Sequence, residues 1–95
     1  MAKDKRYTTI KNLISGGHIK SFREIFDTLP KSVVYKDLGM NNKRFNRLMY
    51  NVEEFVVLDL FRIADLIGTN KKNILDLIYS QYIEDEKIPL SSGKP

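Results

Sequence analysis

Apolar residues recur at intervals of three and four positions along most of the chain, which is the spacing of one face of an α-helix. Ile10, Leu13 and Ile14 show this spacing first, and Gly16 and Gly17 follow them. A glycine can adopt the left-handed backbone that closes a helix. The sequence therefore predicts a first helix over 8–15.

Two further helices are predicted before residue 40. Ser21 and Glu24 form a Ser-x-x-Glu capping box, and Pro30 marks the end of the helix that the box begins. The apolar face of this helix holds Phe22, Ile25, Phe26 and Leu29. Ser32 is then expected to cap a third helix, which ends where Gly39 allows the chain to reverse with a positive φ.

The remaining apolar spacing predicts three more helices, over 42–50, 58–67 and 71–83. Either Asn41 or Asn42 can cap the first of them, Gly68 ends the second, and Asn70 can cap the third. The β-branched run at 55–58 is predicted to be an ordered loop, because a lone strand has no partner to pair with. The whole pattern indicates an all-α fold, a compact bundle of five to six helices.

A chain of 95 residues is long enough for one hydrophobic core and too short for two. We expect a basic N-terminal arm over 1–7, one helical domain over 8–83 and a flexible C-terminal tail over 84–95. The arm carries Lys3, Lys5 and Arg6, which either reach DNA or form a disordered terminus. Tyr7 and Tyr50 are the tyrosines expected to lie outside the core.

Composition argues against several classes of site. The chain has no cysteine and one histidine, so neither a thiolate metal site nor a metalloprotein is expected. No cofactor is predicted. His18 is interpreted as a loop residue, and the acidic run at 84–86 lies near a chain end that is expected to fray, so no enzyme is predicted. No run of about 18 apolar residues occurs, and the first residues are charged. We therefore expect no membrane partner and a cytoplasmic, nucleoid-associated protein.

Charge is distributed unevenly along the chain. Residues 1–50 hold eleven Lys or Arg and four acids, whereas residues 51–95 hold five and eight. A local excess of positive charge attracts phosphate and releases its counterions on contact. This asymmetry favours a polyanion as the partner of the first half, although an uneven solvated surface would give the same pattern.

The strongest functional pattern surrounds Gly39. In a helix-turn-helix, two short helices cross at a steep angle, and apolar residues at set offsets from the turn seal that angle. Such residues are present at Val34, Leu38, Met40, Phe45 and Leu48. We expect all of these to be core residues.

The positions between these apolar residues predict a double-stranded DNA interface with the helix 42–50 in the major groove. Asn pairs with the edge of adenine, Arg with that of guanine, and Lys neutralises phosphate. Phosphate contacts are expected from Lys31, Lys36 and Lys43, and base contacts from Asn42, Arg44, Asn46 and Arg47. Tyr50, at the end of the same helix, completes the set of candidate DNA-binding residues.

From about 22 to 78, the chain resembles the Cro and phage-repressor type of helix-turn-helix domain, also called the xenobiotic-response-element family. The resemblance is carried by the run from Val33 to Met40, by Asn42 to Tyr50, by Leu60 to Asn70 and by the closing run from Asn73 to Ile78. It implies a lambda-repressor-like domain of five helices. It also implies transcription regulation of a repressor-like kind, usually by a homodimer, with the recognition helix at 42–50.

Two positions depart from that family pattern. Tyr35 stands where the family usually has a small residue, which implies a wider helix crossing or a ring tipped sideways. Glu53 and Glu54 follow the predicted recognition helix, and carboxylates at that position would repel DNA. The alternative interpretation is therefore a non-catalytic protein-interaction module that binds a protein partner through residues 55–58. Such a module would be antitoxin-like or a phage-encoded adaptor.

Overall fold

The structure, a computed structural model, describes residues 4–86. They form five α-helices, which are α1 (Arg6–Ser15), α2 (Lys31–Leu38), α3 (Asn42–Tyr50), α4 (Val57–Ile67) and α5 (Lys71–Glu84). Two 3-10 helices, Phe22–Asp27 and Val52–Glu54, connect them. No strand occurs within residues 4–86, so the predicted all-α class is confirmed.

Most of the predicted helix ends are confirmed, because they depend on local chemistry. Gly39 and Gly68 follow α2 and α4 with left-handed φ values of 71° and 89°. The side chains of Asn41 and Asn70 cap α3 and α5 by accepting hydrogen bonds from the backbone N–H three residues ahead, each at 2.8 Å. These side chains satisfy donors that a helix start leaves unpaired.

The predicted second helix is a 3-10 helix, and α2 begins earlier than expected. The Glu24 carboxylate of the predicted capping box accepts from the backbone N–H of Ser21 at 3.1 Å. Pro30, rather than Ser32, occupies the N-cap position of α2. Its ψ of 140° is not helical, and the 3-10 helix already ends at Asp27, so Pro30 precedes α2 and does not end the helix before it, although that had been predicted.

Residues 55–58 are only partly the loop that was predicted. Phe55 and Val56 are extended, but Val57 and Leu58 already belong to the first turn of α4. Val56, Val57 and Leu58 are exposed, whereas Phe55 is buried. The β-branched run therefore straddles a helix start and does not form one segment.

The core is built around packed aromatic rings. Phe45 of α3 is fully buried, with its ring centroid 5.7 Å from that of Phe26 and 6.1 Å from that of Phe55. Phe22 meets both of those partners edge to face, at 5.5 and 5.4 Å. This edge-to-face packing joins the first 3-10 helix to α3 and to the chain before α4, and such ring pairs add to the stability that burial supplies.

The N-terminal residues differ from the predicted arm. Arg6 and Tyr7 lie in the first turn of α1, and Tyr7 is buried, so its predicted exposure is wrong. Its hydroxyl donates a hydrogen bond of 2.7 Å to the Asp37 carboxylate, which ties α1 to α2. Residues 1–3 of the arm lie outside the described residues.

We expect the Tyr7→Phe variant to be less stable by about 1 kcal/mol near neutral pH, because it loses this hydrogen bond. Burial and the bond to Asp37 raise the pKa of Tyr7 above its ordinary value of 10. The contribution is therefore complete below pH 10 and is lost as pH rises further, when the unfolded chain ionises first.

Denaturant unfolding of the parent chain and of Tyr7→Phe, at about pH 8 and about pH 11, measures this difference. The gap in unfolding free energy should narrow at the higher pH. Tyr79→Phe is the control, because the Tyr79 hydroxyl belongs to an exposed ring. An equal gap at both values would contradict the assignment.

The end of α5 is packed against the body of the protein, not frayed as expected. Gln81 is buried, accepts from the backbone N–H of Arg23 at 2.6 Å and donates to the Met49 carbonyl at 3.2 Å. The Arg23 guanidinium pairs with the carboxylates of Glu84 and Asp85. Two residues of the predicted tail are thus held in place, and residues 87–95 lie outside the described part of the chain.

Candidate nucleic-acid interface

The helix α3 is strongly amphipathic. Phe45 and Leu48 are buried, while Lys43, Arg44 and Arg47 are exposed. The apolar face of the helix thus packs against the core. Because Phe45 is buried there, the polar face points away from the core. That polar face is where the predicted DNA-contacting residues stand.

A short turn fixes α3 relative to α2. The backbone N–H of Met40 donates to the Tyr35 carbonyl at 2.8 Å, and the Met40 side chain is buried. A Cβ added at Gly39 would meet nothing within 4 Å, so its positive φ, and not crowding, is what favours glycine there. The turn therefore separates two distinct helices, as predicted.

Three of the predicted contact residues form one hydrogen-bonded row. The Lys31 ammonium at the start of α2 donates to the Asn46 amide oxygen at 3.0 Å. The Asn46 amide nitrogen donates in turn to the Asn42 amide oxygen at 2.9 Å. The row holds both asparagines in defined orientations and crosses from α2 to α3.

Arg44 is held by an acid that the sequence did not single out. Its guanidinium lies 3.6 Å from a carboxylate oxygen of Asp59, a buried residue in the first turn of α4. Arg62 lies 3.6 Å from the other oxygen of Asp59 and donates to the Leu38 carbonyl at 2.8 Å. Asp59 and Arg62 thus connect α4 to α3 and to the last turn of α2.

Sequence reasoning missed Asp59 and Arg62 as positioning residues. A sequence signal existed, since they stand three positions apart on a helix, where an acid and a base can pair. Their partners on α2 and α3 are more distant in sequence, so helical spacing alone could not reveal them. Together they connect α4 to both helices of the α2–turn–α3 unit.

The remaining predicted residues differ in their surroundings. Arg47 lies 3.9 Å from Glu54, and both side chains are exposed. Lys36 on α2 and Lys43 on α3 are exposed, and so is Tyr50 at the end of α3. Tyr50 and Lys31 line an open cleft of about 390 Å³ that Arg23, Met49, Gln81 and Asp85 complete.

The segment 31–50 is electrostatically positive. It holds five cations and one acid, Asp37, and the carboxylate of that acid accepts the Tyr7 hydrogen bond. Exposed cations concentrated on one short segment raise the local concentration of anions. Glu54 acts against this field, although its pairing with Arg47 offsets part of its charge in the free protein.

Tyr35, the position where a small residue was expected, is partly buried. Its ring centroid lies 5.9 Å from that of Phe45, with the two planes tilted by 48°. The tyrosine therefore packs against the ring that anchors α3.

Comparison with protein-family models, with curated proteins and with solved structures found no match to this chain. The resemblance to phage-repressor domains therefore stays a prediction that the quoted residues carry. Among residues 4–86, no three or more His, Cys, Asp or Glu side chains are grouped as a metal site would need. None of the helices in that range has the length and apolar character to cross a membrane.

Proposed function

We propose that this protein binds double-stranded DNA in a sequence-specific manner and acts as a repressor-like transcriptional regulator in the cytoplasm. The α2–turn–α3 unit serves as a helix-turn-helix, and α3 enters the major groove. One observation carries the proposal. The exposed side of α3 presents two asparagines and three cations, while its other side is anchored in the core by Phe45 and Leu48.

The dimensions of α3 suit this role. An α-helix with its side chains is about 10–12 Å in diameter, and the major groove is about 12 Å wide, so the groove admits α3. Asn42 and Asn46 stand one turn apart, with the Asn46 amide ordered by Lys31 and the Asn42 amide by Asn46. An ordered amide loses less entropy when it pairs with an adenine edge.

The arginines must exchange partners on binding. Arg47 and Glu54 are exposed, and ion pairs of this kind contribute about 0–1 kcal/mol, so a guanine edge or a phosphate can replace the carboxylate. Arg44 is held more firmly, because Asp59 is buried. Asp59 keeps Arg62 as a partner when Arg44 turns to DNA, which limits the cost of that exchange.

The test is the affinity for a mixed-sequence duplex at two salt concentrations. If Lys31, Lys36 and Lys43 each neutralise one phosphate, affinity should fall about 40-fold between about 50 and about 200 mM salt. Fluorescence anisotropy of a labelled duplex measures this directly. A chain that fails to bind duplex DNA at the lower salt concentration would overturn the proposal.

A second candidate is a protein-interaction module of the antitoxin or adaptor type. The observation that favours it is the run of three exposed apolar residues, Val56, Val57 and Leu58, at the start of α4. Contiguous exposed apolar side chains are typical of protein contacts. This candidate predicts no salt-dependent DNA affinity and a protein partner whose binding is lost in Val57→Ser, so the duplex titration separates the two.

A further inference from the structure

The two acids that follow α3 are held in a fixed position beside it. Glu53 and Glu54 are exposed, and the residues on either side of them, Val52 and Phe55, are buried. The ring centroid of Phe55 lies 6.1 Å from that of Phe45 in α3. Core packing therefore fixes the backbone of both acids relative to the helix that carries the candidate base contacts.

The two acids differ in what they contact. The Glu54 carboxylate lies 3.9 Å from the Arg47 guanidinium, and the two side chains are 52% and 66% exposed. Glu53 makes no ion pair with any residue between 4 and 86. Glu54 is therefore the acid that shares the surface from which Arg47 reaches outward.

This inference rests on the proposed function, because it concerns what Glu54 does when Arg47 turns to DNA. The carboxylate then loses its cation and faces a polyanion. A carboxylate has only acceptor oxygens, and a charge that leaves water is costly unless it is paired or hydrogen-bonded. Glu54 therefore needs a hydrogen-bond donor on the DNA.

Few such donors exist in the major groove. Guanine and thymine present acceptors there, whereas cytosine N4 and adenine N6 are amino groups. Adenine also has the acceptor N7 beside its amino group, which would repel the carboxylate, and cytosine has no acceptor at that place. Cytosine is therefore the base whose edge suits Glu54 best.

We propose that Glu54 is a specificity-determining residue that accepts a hydrogen bond from the amino group of a cytosine, next to the guanine that Arg47 contacts. The 3.9 Å between the two side chains is close to the rise of about 3.4 Å between successive base pairs. The guanidinium attracts DNA of any sequence, whereas the carboxylate repels it unless it meets a donor. Such a combination of attraction and repulsion favours specificity over affinity.

The test compares Glu54→Gln with the parent chain. Glutamine has nearly the same shape, and its amide can donate as well as accept, so it tolerates any base at that position. Because the Glu54 side chain is exposed, the variant should fold as the parent chain does. It should bind a mixed-sequence duplex about threefold more tightly, because a repulsive charge is lost.

Base preference is the readout that a purely electrostatic role would not change. The duplex is one selected from a random pool with the parent chain, and the guanine that Arg47 contacts is the one whose preference is lost in Arg47→Ala. The neighbouring cytosine is then replaced by each other base, and fluorescence anisotropy gives the affinities. Each replacement should weaken binding of the parent chain at least about fivefold, and that of Glu54→Gln less than about twofold.

Glu53→Gln is the matched control. It removes the same charge from the neighbouring exposed side chain, which has no ion pair within residues 4–86. It should change the affinity for all duplexes by one common factor and keep the preference for cytosine. The proposal is overturned if Glu54→Gln keeps that preference, or if Glu53→Gln loses it as fully as Glu54→Gln.

Failure of this inference can be told from failure of the proposed function. A parent chain that binds no duplex at about 50 mM salt overturns the proposed function and this inference with it. A parent chain that binds DNA with a sequence preference, but selects no cytosine next to that guanine, overturns this inference alone. The same holds if Arg47→Ala loses no preference for a guanine.

Discussion

We expect the Arg44→Ala/Arg47→Ala double variant to bind its preferred duplex about 30-fold more weakly than the parent chain, or worse. Each arginine that pairs in two places with a guanine edge is worth about 1–3 kcal/mol, and two such losses give this factor. The duplex is one selected from a random pool with the parent chain. On a mixed-sequence duplex the loss should be smaller, because only phosphate contacts are lost there.

The control removes the same charge elsewhere. Lys11 and Lys71 are both exposed, and Lys11 approaches Gly68 at the end of α4. Asp59, the partner of Arg44, is at the start of the same helix, about 14 Å away along its axis. Lys11→Ala/Lys71→Ala should therefore leave the preference for the selected duplex unchanged. Equal losses in both double variants would show that net charge, and not the face of α3, sets the affinity.

The second large effect is on stability. Phe45→Ala should lower the free energy of unfolding by about 3–5 kcal/mol, because it leaves a cavity at the centre of the ring cluster. Phe45 is fully buried and has ring contacts with Phe26, Tyr35 and Phe55. The free energy of unfolding of a domain of this size is about 5–15 kcal/mol. The variant should therefore be largely unfolded at mild denaturant concentrations.

Phe61→Ala is the matched control for that substitution. Phe61 is only partly buried, and the Lys71 ammonium lies 5.7 Å from its ring centroid. Removing its ring should lower the free energy of unfolding clearly less than removing that of Phe45. Equilibrium denaturation of both variants provides the comparison. Equal costs would mean that the cluster around Phe45 is not the centre of the core.

Features of the fold that depend on local chemistry could be predicted from the sequence. Gly39 was expected to reverse the chain and Gly68 to end a helix, and both take the positive φ that only glycine adopts at little cost. The two faces of α3 were predicted from helical spacing, with Phe45 and Leu48 inside. Either Asn41 or Asn42 was expected to cap α3. In the structure Asn41 does so, because its side chain accepts a hydrogen bond from the backbone N–H of Arg44.

Features that depend on tertiary contact could not be predicted. The first 3-10 helix follows a capping box, and that motif does not distinguish a 3-10 helix from an α-helix. Tyr7 was expected to lie outside the core, but Asp37, thirty positions away, accepts a hydrogen bond from its hydroxyl. The acidic run at 84–86 was expected to fray because it lies near a chain end. Its partner Arg23 comes from another element, so helical spacing could not reveal it.

The most direct test of the proposed function is a titration of the ¹⁵N-labelled chain with a DNA duplex, followed residue by residue through amide chemical shifts. We predict the largest changes at 41–50, in the side-chain amides of Asn42 and Asn46, and at Lys31. Asn42 and Asn46 are the side chains that would exchange their mutual hydrogen bond for base edges. Large changes confined to 56–58 or to α5, with α3 unperturbed, would contradict the account.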